Sequence, residues 1–166
     1  MTPDPIREAL RAELEATRAA YHALVRSITP EDWEKPTSNP AWNVGELLYH
    51  LSMAPRFTPE DIAVIRRLGR VPLPPERLFH RFNEWSTRRG ARRAGLAGLG
   101  AAYDRAHARL LRVLDRIRPD EWQKGAEYPG WDPMLSGFVT IEDLFHYTTR
   151  HFHAHAAEIR AALGRE

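Results

Sequence analysis

An internal repeat constrains the fold of this chain more than any other feature of its sequence. Residues 28–35, Ile-Thr-Pro-Glu-Asp-Trp-Glu-Lys, recur as residues 117–124, Ile-Arg-Pro-Asp-Glu-Trp-Gln-Lys. Residues 44–50 likewise match residues 140–146, after a short insertion. Each copy starts with a long helical pattern, continues through a Trp-bearing loop and ends in a second helical pattern. The repeat therefore predicts two equivalent helical hairpins.

Apolar residues at three- and four-residue spacing predict four long helices. We expect the first at residues 5–27, the second from residue 44 after an N-cap at Asn43, the third at 96–117 and the fourth at 140–163. No strand pattern competes with them. The predicted fold is an all-α four-helix bundle built from two repeated hairpins, up-down-down-up, with a long crossover between helices 2 and 3.

The connecting segments are harder to assign. Pro55 is expected to kink or end the second helix, because proline lacks the backbone donor, and a helix restarts at Thr58. Residues 78–85 are predicted as a short helix and the basic run 88–93 as a loop. Residues 118–136 are predicted to be mostly irregular.

Length and composition limit the function classes. The 166 residues suit one domain, residues 1–166. The chain has no cysteine, which excludes disulfides, thiolate metal sites and a cysteine nucleophile, so histidine, aspartate or glutamate must hold any metal. A net charge of +2 gives no indication of nucleic-acid binding. Without a signal peptide or an apolar run of membrane-spanning length, we expect a cytoplasmic protein that does not bind membranes.

The fourth predicted helix carries two histidines on its apolar face. His151 and His155 are one turn apart, on the stripe that includes Leu144 and Ile159. Burying two imidazoles is unfavourable unless each finds a partner, and a divalent metal satisfies both. His50, on the equivalent second helix, is the third candidate ligand. The alternative is that these histidines are hydrogen-bonded core residues.

Glutamates lie one turn from two of these histidines. Glu46 precedes His50 and Glu158 follows His155, so both are candidates to bind the metal or to accept a hydrogen bond from a ligating histidine, and Glu158 is a candidate catalytic base. A zincin-type peptidase would have Glu after the first histidine of the pair, where this chain has Phe152. The remaining histidines are expected to be packing or surface residues: His22, His80, His107, His146 and His153.

The repeated loops and the basic run each allow two interpretations. The four loop tryptophans either plug the ends of the bundle or in part line the mouth of a pocket: Trp33, Trp42, Trp122 and Trp131. The arginines at 88, 89, 92 and 93 are either a solvated loop or an anchor for carboxylates or phosphates of a substrate. Weak nucleic-acid contact is disfavoured, because no aromatic residues are interleaved with them.

Several stretches resemble the DinB/YfiT superfamily of metal-dependent four-helix bundles. They are Trp-Asn-Val-Gly-Glu-Leu-Leu-Tyr-His-Leu at 42–51, Arg-Phe-Asn-Glu-Trp at 81–85 and Thr-Ile-Glu-Asp-Leu at 140–144, which leads into His-Phe-His-Ala-His-Ala-Ala-Glu-Ile at 151–159. The resemblance spans nearly the whole chain. Its motifs are short, so it identifies the fold better than the activity.

The resemblance implies a site and a class of chemistry. In that family a histidine of the second helix and a His-x-x-x-His pair of the fourth bind a divalent ion, often zinc or nickel, which carries over to His50, His151 and His155. Characterised relatives include thiol-dependent S-transferases and a maleylpyruvate isomerase, and relatives often form homodimers. The family often has Gln where this chain has Glu158.

Two functions follow from these observations. The first is a metal-dependent enzyme, S-transferase-like or hydrolase-like, in which the ion activates water or a low-molecular-weight thiol for attack on a small electrophile. The second is a non-catalytic stress-response or small-molecule-binding bundle with structural histidines. An open coordination position beside an accessible pocket would favour the enzyme.

Overall fold

The computed structural model describes residues 4–165. In this range it contains five α-helices: α1 (Pro5–Arg26), α2 (Val44–His50), α3 (Met53–Leu68), α4 (Glu76–Leu114) and α5 (Ile141–Ala162). None of these helices is both long enough and apolar enough to cross a membrane. Residues 1–3 and 166 lie outside the described residues. The predicted single domain includes both ends, and the prediction that there is no signal peptide also concerns residues 1–3.

The helices form the predicted all-α four-helix bundle with up-down-down-up topology. One hairpin consists of α1 and α2, and the other of the second half of α4 followed by α5. The crossover between them contains α3 and the first half of α4. The inward faces of the helices bury two apolar clusters, one around Tyr21, Leu47 and Phe152, the other around Leu10 and Phe145.

The repeated loops have equivalent hydrogen bonds. Asp32 and Glu121 occupy corresponding positions, both are buried, and each accepts a hydrogen bond from the backbone N–H three residues earlier, at 3.0 Å in both copies. The helix that follows also begins in the same way. The first N–H of α2 donates to the carbonyl of Lys35 at 2.9 Å, and that of α5 to the carbonyl of Lys124 at 2.8 Å. The repeat therefore directs α2 and α5 into the bundle by one mechanism.

The break after the second predicted helix lies before Pro55, which corrects the predicted position. α2 ends at His50 and α3 begins at Met53, well before the restart that was predicted at Thr58. Pro55 lies in the first turn of α3. The N–H groups of a first turn have no helical acceptor, so proline loses no hydrogen bond there.

The basic run at 88–93 is helical, so the prediction of a loop was wrong. It belongs to the first half of α4, which also contains the predicted short helix at 78–85. The two halves of α4 meet at Gly95, where a φ of 57° and a ψ of 178° interrupt the helix. Thr87 and Ala91 lie one turn apart and are buried, whereas most of the surrounding arginines are exposed. The buried face consists of small residues, and for that reason the sequence shows no apolar stripe here.

A β-hairpin at 125–140 overlaps the segment 118–136, which was predicted to be mostly irregular. The expectation that the chain has no strands was therefore wrong. Its strands β1 (Gly125–Asp132) and β2 (Leu135–Thr140) pair antiparallel. The loop of the first repeat has a single bridge at the equivalent place, between Pro36 and Asn43. The hairpin is thus an enlarged form of the shorter loop. Glycines and a proline interrupt its alternation and conceal the strand pattern in the sequence.

Gly90 permits the close approach of α4 to α2. A Cβ at this position would overlap the ring of Tyr49, whereas a Cβ at Gly98, two turns further along α4, would meet only the Cβ of Ala94 at 3.4 Å. Both glycines are helical, so replacement by alanine gains helix propensity at either site.

We expect Gly90→Ala to lower the free energy of unfolding by about 1–3 kcal/mol, because overpacking outweighs the gain in propensity. Gly98→Ala, the matched control, should be neutral or raise it by up to about 1 kcal/mol. Urea denaturation of both variants measures the difference. Equal stability of the two variants would contradict the close packing of Tyr49 on α4.

Candidate metal centre

Three histidines meet at one point inside the bundle. One ring nitrogen each of His50, His151 and His155 lies within 4.8 Å of the others, and the Nε2 atoms of His50 and His151 are 3.1 Å apart. His50 is 6% exposed and His151 is 2% exposed, while His155 is partly buried. The sequence therefore identified side chains that the fold brings together.

The helices that carry these histidines are fixed at their N-termini by the same motif. Asn43 caps α2 and Thr140 caps α5, and each forms a capping box with the acid three residues later, Glu46 and Asp143 respectively. The carboxylate of Glu46 accepts the N–H of Asn43 at 3.2 Å. Glu46 thus serves as a helix cap, and it does not belong to the histidine cluster, which corrects its candidacy as a ligand.

Two of the three rings have a partner on the nitrogen that faces away from the cluster. Nδ1 of His50 lies 3.3 Å from Oγ1 of Thr87, and Nδ1 of His155 lies 3.1 Å from Oε2 of Glu158. Such contacts orient an imidazole and leave its Nε2 free as a ligand. Nδ1 of His151 has no hydrogen-bond partner among the described residues. The role of Thr87 could not be predicted from the sequence, because this residue adjoins the run that is predicted there as a loop.

Glu158 is held in place by the loop of the first repeat. Its Oε1 accepts hydrogen bonds from Oγ of Ser38 at 2.9 Å and from the N–H of Asn39 at 3.0 Å, in addition to the contact with His155. Burial opposes ionisation, but the hydrogen bonds from His155 and Ser38 outweigh it and lower the pKa of the Glu158 carboxyl. Glu158 is therefore a carboxylate fixed against the edge of the His155 ring.

The buried histidines are neutral at physiological pH. Burial, followed by the proximity of His155, lowers the pKa of His50 from 6.5 to about 3. Burial and the neighbouring imidazoles lower the pKa of His151 well below its ordinary value. A neutral imidazole has the free lone pair that a metal ligand requires.

The cluster fits a divalent metal ion of the zinc type. Two nitrogen ligands of a tetrahedral zinc ion are about 3.3 Å apart, given Zn–N bonds of about 2.0–2.1 Å, and the Nε2 atoms of His50 and His151 are 3.1 Å apart. Three protein ligands are also the number found in catalytic zinc sites, where the fourth position takes water or substrate. The described residues therefore supply a three-nitrogen donor set of the kind that such sites use.

The histidines lie in the wall of a cavity of about 580 Å³. Such a volume suits a small molecule. Most of the other lining side chains are apolar or aromatic, among them Trp42, whose ring stacks on His50 with centroids 4.1 Å apart, and Trp131, which packs against Phe79. The two remaining loop tryptophans pack in the protein, Trp33 against Gly45 and Trp122 in the core. Trp42 and Trp131 thus line the cavity, as the second interpretation predicts for part of the set, and Trp33 and Trp122 are packing residues.

A tyrosine that the sequence reasoning missed lines the same cavity. Tyr147 precedes His151 by one helical turn, and the two ring centroids are 5.4 Å apart. Its hydroxyl donates to Oδ2 of Asp132 at 2.6 Å. Burial, reinforced by this carboxylate, raises the pKa of Tyr147 well above its ordinary value, so the hydroxyl keeps its proton. The four-residue spacing from His151 was the available signal.

The other histidines lie outside the cluster. His146 contacts Glu13 through Nδ1 at 2.7 Å, and His22 contacts Asp104 through Nε2 at 2.8 Å. The remaining three are exposed or packed elsewhere: His153 and His80 are exposed, and His107 is buried beside Tyr103.

A solved structure supports the assignment of the fold. It is described as "YfiT from Bacillus subtilis is a probable metal-dependent hydrolase with an unusual four-helix bundle topology". It superposes with a TM-score of 0.71 on 100% of this chain and 92% of that one, at 18% sequence identity. A likeness at this level of identity shows the fold alone.

Comparison of the sequence itself identifies the family. The search of curated proteins found no match. The sequence model of the DinB superfamily matches residues 13–159, which include His50, His151 and His155. The chain therefore belongs to the DinB superfamily.

Proposed function

We propose that this protein is a metal-dependent enzyme and that His50, His151 and His155 bind its divalent ion, zinc or nickel. One observation carries the proposal: three imidazole nitrogens lie within 4.8 Å of one another in the wall of a cavity of about 580 Å³. The hydrolase description of the similar Bacillus subtilis protein supports it. When bound, the ion would act as a Lewis acid toward a water molecule or a low-molecular-weight thiol.

The residues around the histidines have separate tasks in this proposal. Thr87 and Glu158 orient the rings of His50 and His155 through their Nδ1 atoms. The apolar cavity wall binds a small electrophilic substrate and excludes bulk water, which strengthens electrostatic interactions at the site. Tyr147 lines the same cavity, and its hydroxyl keeps its proton and donates a hydrogen bond to Asp132.

Glu158 has two candidate roles. The catalytic role stays a prediction. Its contacts favour a positioning role, because Ser38, Asn39 and His155 together occupy both carboxylate oxygens. A general base would need one oxygen free to take a proton from the nucleophile.

The non-catalytic alternative is less well supported. A structural site would be closed by a fourth ligand or by packing, whereas these three histidines adjoin a cavity of ligand size. The single domain at 1–166, the small-molecule substrate, the cytoplasmic location and the homodimer stay predictions, as do the S-transferase or hydrolase chemistry and the thiol co-substrate.

We expect the purified protein to contain close to one equivalent of zinc or nickel, and His151→Ala to contain little. Removing one of three ligands leaves too few donors for tight binding. Elemental analysis by plasma mass spectrometry measures the content. His153→Ala, an exposed histidine of the same helix, is the control and should keep the metal. Equal metal in the parent and His151→Ala would show that the ion is bound elsewhere.

We expect the metal-free protein to lose stability as the pH falls below 6.5. The folded state keeps His50 and His151 neutral, whereas the unfolded chain takes up protons at an ordinary histidine pKa of 6.5. Their contribution is complete above pH 6.5 and declines below it, by up to about 1.4 kcal/mol per pH unit for each histidine. Urea denaturation in EDTA between pH 5 and 7.5 measures this slope.

The histidine share of that slope can be isolated with two variants. His151→Leu should have a shallower dependence below pH 6.5, because one buried titrating group is gone. His153→Leu should keep the slope of the parent, because the ring is exposed. An unchanged slope in His151→Leu would argue against burial of a neutral imidazole.

We expect Glu158→Gln to weaken metal binding by about 10- to 100-fold, the usual effect of changing the group that accepts the outer N–H of a ligating histidine. Competition with a chromophoric chelator measures the affinity. Glu8→Gln is the matched control, because Glu8 is exposed at the start of α1. Unchanged affinity in Glu158→Gln would remove this residue from the proposed site.

A further inference from the structure

A second cavity, of about 440 Å³, lies beside the cavity of the histidines. We call it the arginine cavity, because four arginines line it: Arg56 from α3 and Arg89, Arg93 and Arg105 from α4. No aspartate or glutamate is among its lining residues. The neighbouring Arg88 is different, since it forms an ion pair with Glu84 at 2.7 Å.

The four arginines lack an ionic partner. Among residues 4–165 none of them forms a salt bridge, although the chain has 22 acidic residues for 24 lysines and arginines. The four side chains are exposed, and like charges gathered around one cavity repel each other. A bound anion removes this cost and accepts hydrogen bonds from the guanidinium groups.

Aromatic rings line the same cavity and hold two of the guanidinium groups. Arg89 lies over Trp85 and Arg56 over Phe57, each 5.6 Å from the ring centroid, and Nη1 of Arg56 donates to the hydroxyl of Tyr49 at 3.3 Å. Trp85 is nonetheless 56% exposed. A flat apolar ligand would cover such a ring, while its charged group meets the arginines.

We propose that the arginine cavity binds a small aromatic anion, with its phosphate or carboxylate on Arg56, Arg89, Arg93 and Arg105. Met53, Phe57 and Phe82 line both cavities, so the arginine cavity adjoins the cavity of the histidines. The proposal does not depend on a metal ion. Arg89 and Arg93 belong to the basic run of the sequence, and none of the four arginines lines the cavity of the histidines.

The test uses EDTA-treated protein, so that no probe can bind through an ion. Its probes are 1-naphthyl phosphate, 1-naphthoate and uncharged 1-naphthol, with affinities measured by calorimetry. We expect the better of the two anions to bind at least about tenfold more tightly than 1-naphthol, as charge-assisted hydrogen bonds imply. The ratio between phosphate and carboxylate then distinguishes the two anion classes.

Variants distinguish binding in this cavity from non-specific binding to a positively charged surface. The double variant Arg89→Gln, Arg93→Gln should lower the affinity for the more tightly bound anion by about tenfold or more. Arg105→Gln should also lower this affinity. Arg92→Gln is the matched control. Arg92 is exposed like the arginines of the cavity and lies in the same run as Arg89 and Arg93, but it does not line the cavity, so the affinity should change by less than about twofold.

Three outcomes would overturn the proposal. One is equal weakening by Arg92→Gln and the double variant. Another is binding of 1-naphthol as tight as that of the anions. The third is a single-stranded oligonucleotide that binds more tightly than either anion and weakens equally in every arginine variant, which would indicate a diffuse basic surface.

A further variant separates this inference from the proposed metal site. His151→Ala should leave binding of the anion unchanged, since His151 lines only the larger cavity. Loss of binding in that variant would place the probe in the larger cavity and overturn the inference. Absence of metal in the purified protein would contradict the proposed enzyme and leave this result intact.

Discussion

The packing of α2 against α5 is the constraint on which the rest of the structure depends. It brings Nε2 of His50 to 3.1 Å from Nε2 of His151, across 101 residues of sequence. Each helix enters the bundle from a repeated loop with a buried acid, a backbone hydrogen bond and a capping box. Duplication of one hairpin thus supplied two helices with the same approach, and histidines on both converge at their contact.

The first half of α4 has a structural and a chemical task at once. Its buried face is made of small residues, Thr87, Gly90 and Ala91, which let the helix lie close to α2. Thr87 contacts Nδ1 of His50 from this face, and Arg89 and Arg93 of the second cavity lie on other faces of the same helix half. The crossover that an ordinary bundle would need only as a connection therefore forms part of both sites.

Burial explains why the candidate site combines a stability cost with readiness to bind a cation. Removing His50 and His151 from water disfavours their protonated forms, so both rings are neutral and keep a lone pair that can bind a metal ion. Nδ1 of His151 has no partner among the described residues, and such a group destabilises a fold.

The sequence by itself determined the bundle, its repeat and the candidate ligands, because helical periodicity and four-residue spacing are local properties. It did not determine the helical state of 88–93 or the hairpin at 125–140, since there small residues and tertiary contacts override local propensity. Only the tertiary structure decided that Thr87 contacts His50, that Glu46 is a cap and that Tyr147 adjoins the site. Such contacts join elements distant in sequence, and no spacing rule encodes them.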